Sequence, residues 1–307
     1  MVARGEKSYA KVIVEDRHTH VSYIEKDGKV ILSQDDHVNL LSEETYEFLN
    51  ISGIWNFIRQ VDIKKLSKVE QSITMNKRIG EEGLRNPYGL RVGKTLFDAM
   101  EEGYTSWDLS NYAMALTAAG CDARMAGSSL QVMSVSGSGN QGIGAVLPVV
   151  AYWEKLDVSH EALLRAVTLS HLVTIYIKTR FGRLSAICGA TVAAIGASCG
   201  MTYLLGGGLK EVRAAIQNML GNITGMVCDG AKGGCALKVA TSTSAACLSA
   251  QLALAGVAIG EHDGIIDEDP EKTIANLGLL SREASEDMDN LILKIMLDKE
   301  NETLTSK

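Results

Sequence analysis

Cys228 and Cys235 stand seven apart in the string GMVCDGAKGGCALK, among four glycines. A third thiol, Cys188, follows the Gly182 break in GRLSAICGA and precedes Gly189. Soft thiolates from three distant segments suit an iron–sulfur cluster, and neighbouring glycines let backbone amides approach its sulfides. The plain alternative is three ordinary reduced cysteines. Spacing alone leaves both readings open and leans to the plain one. It does exclude a zinc pattern, because there is no CxxC pair and no Cys/His quartet at finger spacing. The other thiols, Cys121, Cys199 and Cys247, lie inside apolar helical patterns and read as small buried hydrophobes. Lys232 and Lys238 either counter the charge of a metal centre or are solvated, and Asp229 reads as a loop cap.

A second string, SVSGSGNQGIGA, carries Ser136, Gly137, Ser138, Gly139, Asn140 and Gln141. Consecutive Ser and Gly free the backbone to aim several amides at one carboxylate, while Asn140 and Gln141 add neutral donors and acceptors. The plain reading is a loop between helices. A dinucleotide loop is rejected, since no clear strand precedes the string and no acidic residue follows at the required offset. His171, mid-helix in LSHLV, reads as a packed core histidine ahead of a proton relay.

These residues need a scaffold. The chain has 307 residues, enough for a full core in one large domain or two modest ones. Tyr9–Glu15 alternates as a strand, and HVSYIEKDGKVILSQ reads as two strands joined at Asp27-Gly28. About three strands therefore form a small antiparallel β element over residues 1–38. Helical signals fill residues 39–307. Ser42 with Glu43 and Glu44 starts one helix. DIKKLSKVEQSITMNKRI shows an apolar stripe of Ile63, Leu66, Val69 and Ile73. Further helices are expected in SWDLSNYAMALTAAGCDARMAG, SHEALLRAVTLSHLVTIYIKTR, LKEVRAAIQNMLGNITG and the tail from Pro270. Two uncharged stretches, 184–209 and 239–260, reach spanning length. They consist of Ala, Gly, Ser and Thr without aromatic belts, which fits wholly buried helices. The expected fold is mainly α: a multi-helix globular domain with buried Gly/Ala-rich helices, preceded by a β element that is the remnant of an α+β domain.

The net charge of −7 argues against nucleic acid or an anionic membrane as partner. Six cysteines are too sparse for a disulfide scaffold, and MVARGEKSYAK has no signal-peptide core. A cytoplasmic location is expected.

SGSGNQGI, GRLSAICGA and CDGAKGGCALK occur in order with EDRHTH, SHLVTIYIK, LGNITGM and DPEKTIANLG. Together they resemble the L-cysteine desulfidase family, a relative of the iron–sulfur L-serine dehydratase alpha chain, over nearly the whole chain. The resemblance implies that Cys188, Cys228 and Cys235 hold a [4Fe–4S] cluster with one iron free of protein thiolate. Such an iron acts as a Lewis acid on the β-substituent while a base takes the α-proton. L-Cysteine would yield sulfide and aminoacrylate, which hydrolyses to pyruvate and ammonia. No pyridoxal phosphate is needed. L-Serine would eliminate by the same chemistry. The resemblance also implies that SGSGNQ binds the substrate and that His18 and Thr19 line its cleft. From the residues alone, the latter two read equally well as a surface turn. Arg183 is a candidate partner for the substrate carboxylate. Family members carry an ALGCTEP-like motif whose cysteine is thought to be the base or proton donor. No such motif occurs here, so no base is assigned. The expectation is a cluster-binding portion that acts with a complementary N-terminal chain, or as a homo-oligomer, or is a non-catalytic truncated protein.

Overall fold

The computed structural model describes residues 1–14, 20–34, 48–181 and 187–305. It divides into two compact units, Met1–Glu47 and Phe48–Lys307. The expected boundary at residue 38, the helix start at Ser42, and His18, Thr19 and Arg183 lie outside the described residues.

The first unit is an antiparallel meander, β1 (Val2–Arg4), β2 (Tyr9–Val14), β3 (Val21–Lys26) and β4 (Lys29–Ser33), paired in chain order. The β3–β4 hairpin turns at Asp27 and Gly28, both with positive φ (51° and 80°), as a tight two-residue turn requires. The fourth strand, β1, was not expected. Three exposed residues are too few to show alternation.

The second unit is helical: α1 (Ile51–Gln60), a 3₁₀ turn (Ile63–Lys65), α2 (Ser67–Arg85), α3 (Val92–Glu101), α4 (Leu109–Met125), α5 (Gly139–Lys155), α6 (His160–Phe181), α7 (Gly189–Leu204), α8 (Leu209–Ile223), α9 (Cys235–Leu254) and α10 (Pro270–Thr305). The fold is thus mainly α behind a small antiparallel sheet, as the sequence pattern implies. Helices α4, α5, α7 and α9 form the interior. Alpha-7 packs on α5, α6, α8 and α9, and α4 on α2, α3, α5 and α9. Among the described residues, no helix is long and apolar enough to cross a membrane.

The interior helices owe their fit to small residues. A Cβ at Gly196 of α7 would lie 2.2 Å from Thr174 Oγ1 and 2.3 Å from Ser170 O of α6. Glycine there lets the two helices approach to backbone contact. The buried Asp122 of α4 accepts a 3.0 Å hydrogen bond from Gly93 N, which fixes the start of α3 against the C-terminal turns of α4.

Two boundaries differ from the sequence pattern. Helix α5 begins at Gly139, inside the string read as a loop, although it holds Gly142, Gly144 and Pro148. It is buried from Gly139 to Tyr152, so tertiary packing outweighs its weak local propensity. Helix α9 begins at Cys235, four residues ahead of the uncharged stretch expected from Val239.

Candidate functional site

An antiparallel bridge pairs Ile187 with Val227, and Cys188 N donates to Met226 O at 2.9 Å. This pairing sets the Cys188 segment beside the Cys228 segment. Cys188 is the N-cap residue of α7 and Cys235 is the first residue of α9. Helix N-termini carry partial positive charge that works toward anionic sulfur, but at Cys188 burial prevails and raises the thiol pKa, against a lowering backbone bond from Ala190. Cys188, Cys228 and Cys235 share one apolar cluster with Met125, Met226 and Val239. Cys188 is buried, while Cys228 and Cys235 are half-buried. Lys232 N donates to Cys235 Sγ at 3.4 Å.

A fourth thiol joins this cluster. Cys121, on α4, is fully buried there, and burial pushes its thiol well above the ordinary range. The sequence pattern foresaw its burial but not its company. Cys199 and Cys247 belong to the main core instead.

The charged groups sort differently from expectation. Lys238 donates to Val227 O at 2.9 Å and forms an ion pair with Asp229. Burial works against its ammonium, but the bond to Asp229 prevails and raises its pKa. Lys178, near the C-terminal end of α6, is only 9% exposed. Burial lowers its pKa, and the groups acting in the opposite direction are Cys228 and Cys188. No carboxylate among the described residues pairs with it. A helix C-terminus repays such a cation by about 1 kcal/mol, against several kcal/mol for desolvating an ammonium. Lys178 is thus a buried lysine with no ion pair among the described residues.

The SGSGNQ string lies alongside. Val135 and Ser138 exchange backbone bonds of 3.0 and 3.2 Å across Ser136 and Gly137, both at positive φ (48° and 83°). Ser138 caps α5 by accepting from Gln141 N at 3.3 Å. Asn140 and Gln141 therefore ride on the first turn of a buried helix. Asn140 Oδ1 accepts from Arg124 Nη1 at 3.0 Å, and Asn140 Nδ2 lies 3.2 Å from Met125 Sδ at the thiol cluster. Arg124 occupies the space a side chain at Gly139 would need, with Nε 2.3 Å from such a Cβ. Gln141 packs on Gly189, which follows Cys188, with its Cγ 3.0 Å from a Cβ placed there. Gln141 is buried, and its Nε2 has no hydrogen-bond partner among the described residues. The N-termini of α5 and α7 thus meet beside the thiols. Arg124, which sequence reasoning missed, supplies a cation there, and Lys178, also missed, is buried in the last turn of α6. Both sit near helix C-termini, where a basic residue ordinarily reads as a solvated end.

His171 has a buried Nε2 without a partner among the described residues, and burial lowers its pKa to about 4. That is the behaviour of a packed core histidine.

Three soft thiol donors in one apolar cluster are the donor chemistry an iron–sulfur cluster takes. Among the described residues, no three His, Cys, Asp or Glu groups converge closely enough to share one ion. Soft sulfur donors, an apolar wall and an amide aimed at the Cys235 sulfur match an anionic metal–sulfur core.

Comparison with known proteins places the chain in a family. Residues 10–294 match the family model for the serine dehydratase alpha chain. A UPF0597 protein of Clostridium perfringens is 45% identical over 296 residues, covering 96% of this chain and 69% of that protein. A UPF0597 protein of Oleidesulfovibrio alaskensis is 44% identical over 293 residues, covering 94% and 68%. One from Parabacteroides distasonis is 42% identical over 303 residues, covering 97% and 70%. By the extent of these matches, the chain belongs to the serine dehydratase alpha chain family.

Proposed function

We propose that this chain is an iron–sulfur lyase that carries out β-elimination on L-cysteine, giving sulfide, pyruvate and ammonia. The observation that carries the reading is the convergence of Cys188, Cys228 and Cys235 in one apolar cluster beside the N-terminus of α5. In this reading the three thiols hold a [4Fe–4S] cluster. When bound, the cluster supplies a Lewis-acidic iron that weakens the bond from carbon β to its leaving group.

The chain's own residues do the rest. Free amides at the start of α5 and the Arg124 guanidinium receive the substrate carboxylate. Asn140 holds Arg124 in place, and the orphaned Gln141 amide reads a polar atom of the substrate. Buried walls of α5 and α7 exclude water. Ser136 and Gly137 form the exposed rim. His18 and Thr19 belong to the site by family resemblance. The working assembly is a homo-oligomer or a pair with a complementary N-terminal chain. Membership in the serine dehydratase family favours L-serine as a second substrate, because loss of hydroxide follows the same course as loss of hydrosulfide.

The test is anaerobic reconstitution with iron and sulfide. The chain should turn brown, with broad absorbance near about 400 nm. L-Cysteine should then yield sulfide and pyruvate in equal amounts. A colourless protein, or a brown one inert to both amino acids with and without its genomic neighbours, overturns the reading. Turnover of L-serine alone transfers the assignment to the dehydratase.

A further inference from the structure

We propose that Met125 is a positioning residue: its thioether holds Arg124 and Asn140 in place and ties the carboxylate-receiving end of the site to the thiol cluster. The inference rests on the substrate reading above and adds the residue that sets where the Arg124 cation stands.

Met125 is the last residue of α4, and the helix stops there for a local reason. Gly127 takes a positive φ (85°), its N–H donates to Arg124 O at 3.1 Å, and Ser128 N donates to Ala123 O at 3.0 Å. These paired bonds are the glycine-based stop that fixes a final helical turn. Met125 Sδ then receives two donors, Arg124 Nη1 at 3.4 Å and Asn140 Nδ2 at 3.2 Å. Arg124 Nη1 also donates to Asn140 Oδ1 at 3.0 Å, which closes a ring of three side chains. The same methionine packs against the thiol cluster. A thioether suits this place on two counts. It is an acceptor on an apolar side chain, so it can serve polar donors and still pack among thiols. It is also neutral, as is Asn140, so neither acceptor offsets the guanidinium charge that a carboxylate meets.

Anaerobically loaded Met125→Leu tests this role. Leucine keeps the volume and the apolar contact but removes the acceptor. The variant should keep the brown colour and the cooperative melt. Its KM for L-cysteine should rise about fivefold, the scale of one net hydrogen bond, with kcat near the wild-type value, because carboxylate binding acts on ground and transition states alike. The inhibition constant of L-cysteine methyl ester, which lacks the carboxylate charge, should not change. Met125→Gln, which restores a neutral acceptor, should return KM toward the wild type. In an Arg124→Met background, Met125→Leu should have no further effect on KM, as expected when one residue acts through the other.

An unchanged KM in Met125→Leu overturns the inference. So does an equal rise for L-cysteine and its methyl ester, or an undiminished effect in the Arg124→Met background. Loss of the colour or of the cooperative melt in Met125→Leu makes Met125 a wall of the thiol cluster and overturns it as well. A wild type inert toward L-cysteine and L-serine, with and without its genomic neighbours, defeats the lyase reading itself. An active wild type with an indifferent Met125→Leu defeats the positioning role alone.

Discussion

The six cysteines divide between the main core and the smaller thiol cluster. Cys199 is wholly enclosed, and burial pushes its thiol up to about 12, so it stays a neutral packing group. Cys247 is enclosed in the same core. Cys228 and Cys235 are half-buried in a glycine-rich turn at the mouth of the apolar cluster. Cys228→Ser should therefore abolish both the brown colour and sulfide release, while Cys247→Ser leaves both nearly intact. Equal behaviour of the two variants in anaerobic absorbance spectra argues against the ligand assignment. Cys121 is the instructive intermediate. It shares the cluster but sits in the interior of α4, away from the glycine-flanked helix starts, so Cys121→Ala should keep the colour at a stability cost of about 1 kcal/mol. His171 gives a residue-scale pH dependence. Its folded pKa of about 4 lies below the usual histidine value, so between those two values the unfolded chain binds the extra proton. Stability should fall as pH drops from about 6.5 to about 4, by at most about 3 kcal/mol. Thermal melts of His171→Phe should lose that part of the slope. A variant with the wild-type slope would place the acid sensitivity elsewhere.

At the scale of elements, three helix starts carry the candidate site: α5 behind Ser138, α7 behind Cys188 and α9 at Cys235. Each begins at or next to glycine, which is why the sequence displays them as breaks. The glycine context of Cys188, Cys228 and Cys235 was legible for that reason, and so was the burial of the uncharged helices. The start of α5 was not. Its glycines are loop signals locally, and only packing against Met133 and Arg124 explains why they sit in a helix. Arg124 and Lys178 were hidden for a related reason. A basic residue at a helix end is ordinary in sequence, and only the fold shows which ones turn inward. The same close packing makes α7 intolerant of branching. Gly196→Val would drive a Cβ into Thr174 and the Ser170 carbonyl of α6. It should cost about 1–3 kcal/mol or more in urea denaturation, the usual penalty for overpacking. A neutral result would mean that α6 and α7 can separate without loss.

At the scale of the molecule, the two units differ in what holds them. Among the described residues, every fully buried apolar side chain, from Ile51 to Leu277, belongs to the helical unit. The sheet contributes only Ser22 to the buried set, and Val14, Val30 and Ile31 stay exposed. Strands without a packed face are marginal on their own. The thiol cluster, the SGSGNQ turn, Arg124 and Lys178 all lie within the helical unit's own residues. A chain of residues 48–307 should therefore unfold cooperatively, with a midpoint within about 4 °C of the full chain, the shift that about 1 kcal/mol produces at this size. It should also take up iron to the same level under anaerobic reconstitution. Loss of the cooperative melt would show that the sheet completes the core. A normal melt without iron uptake would show that it completes the metal site.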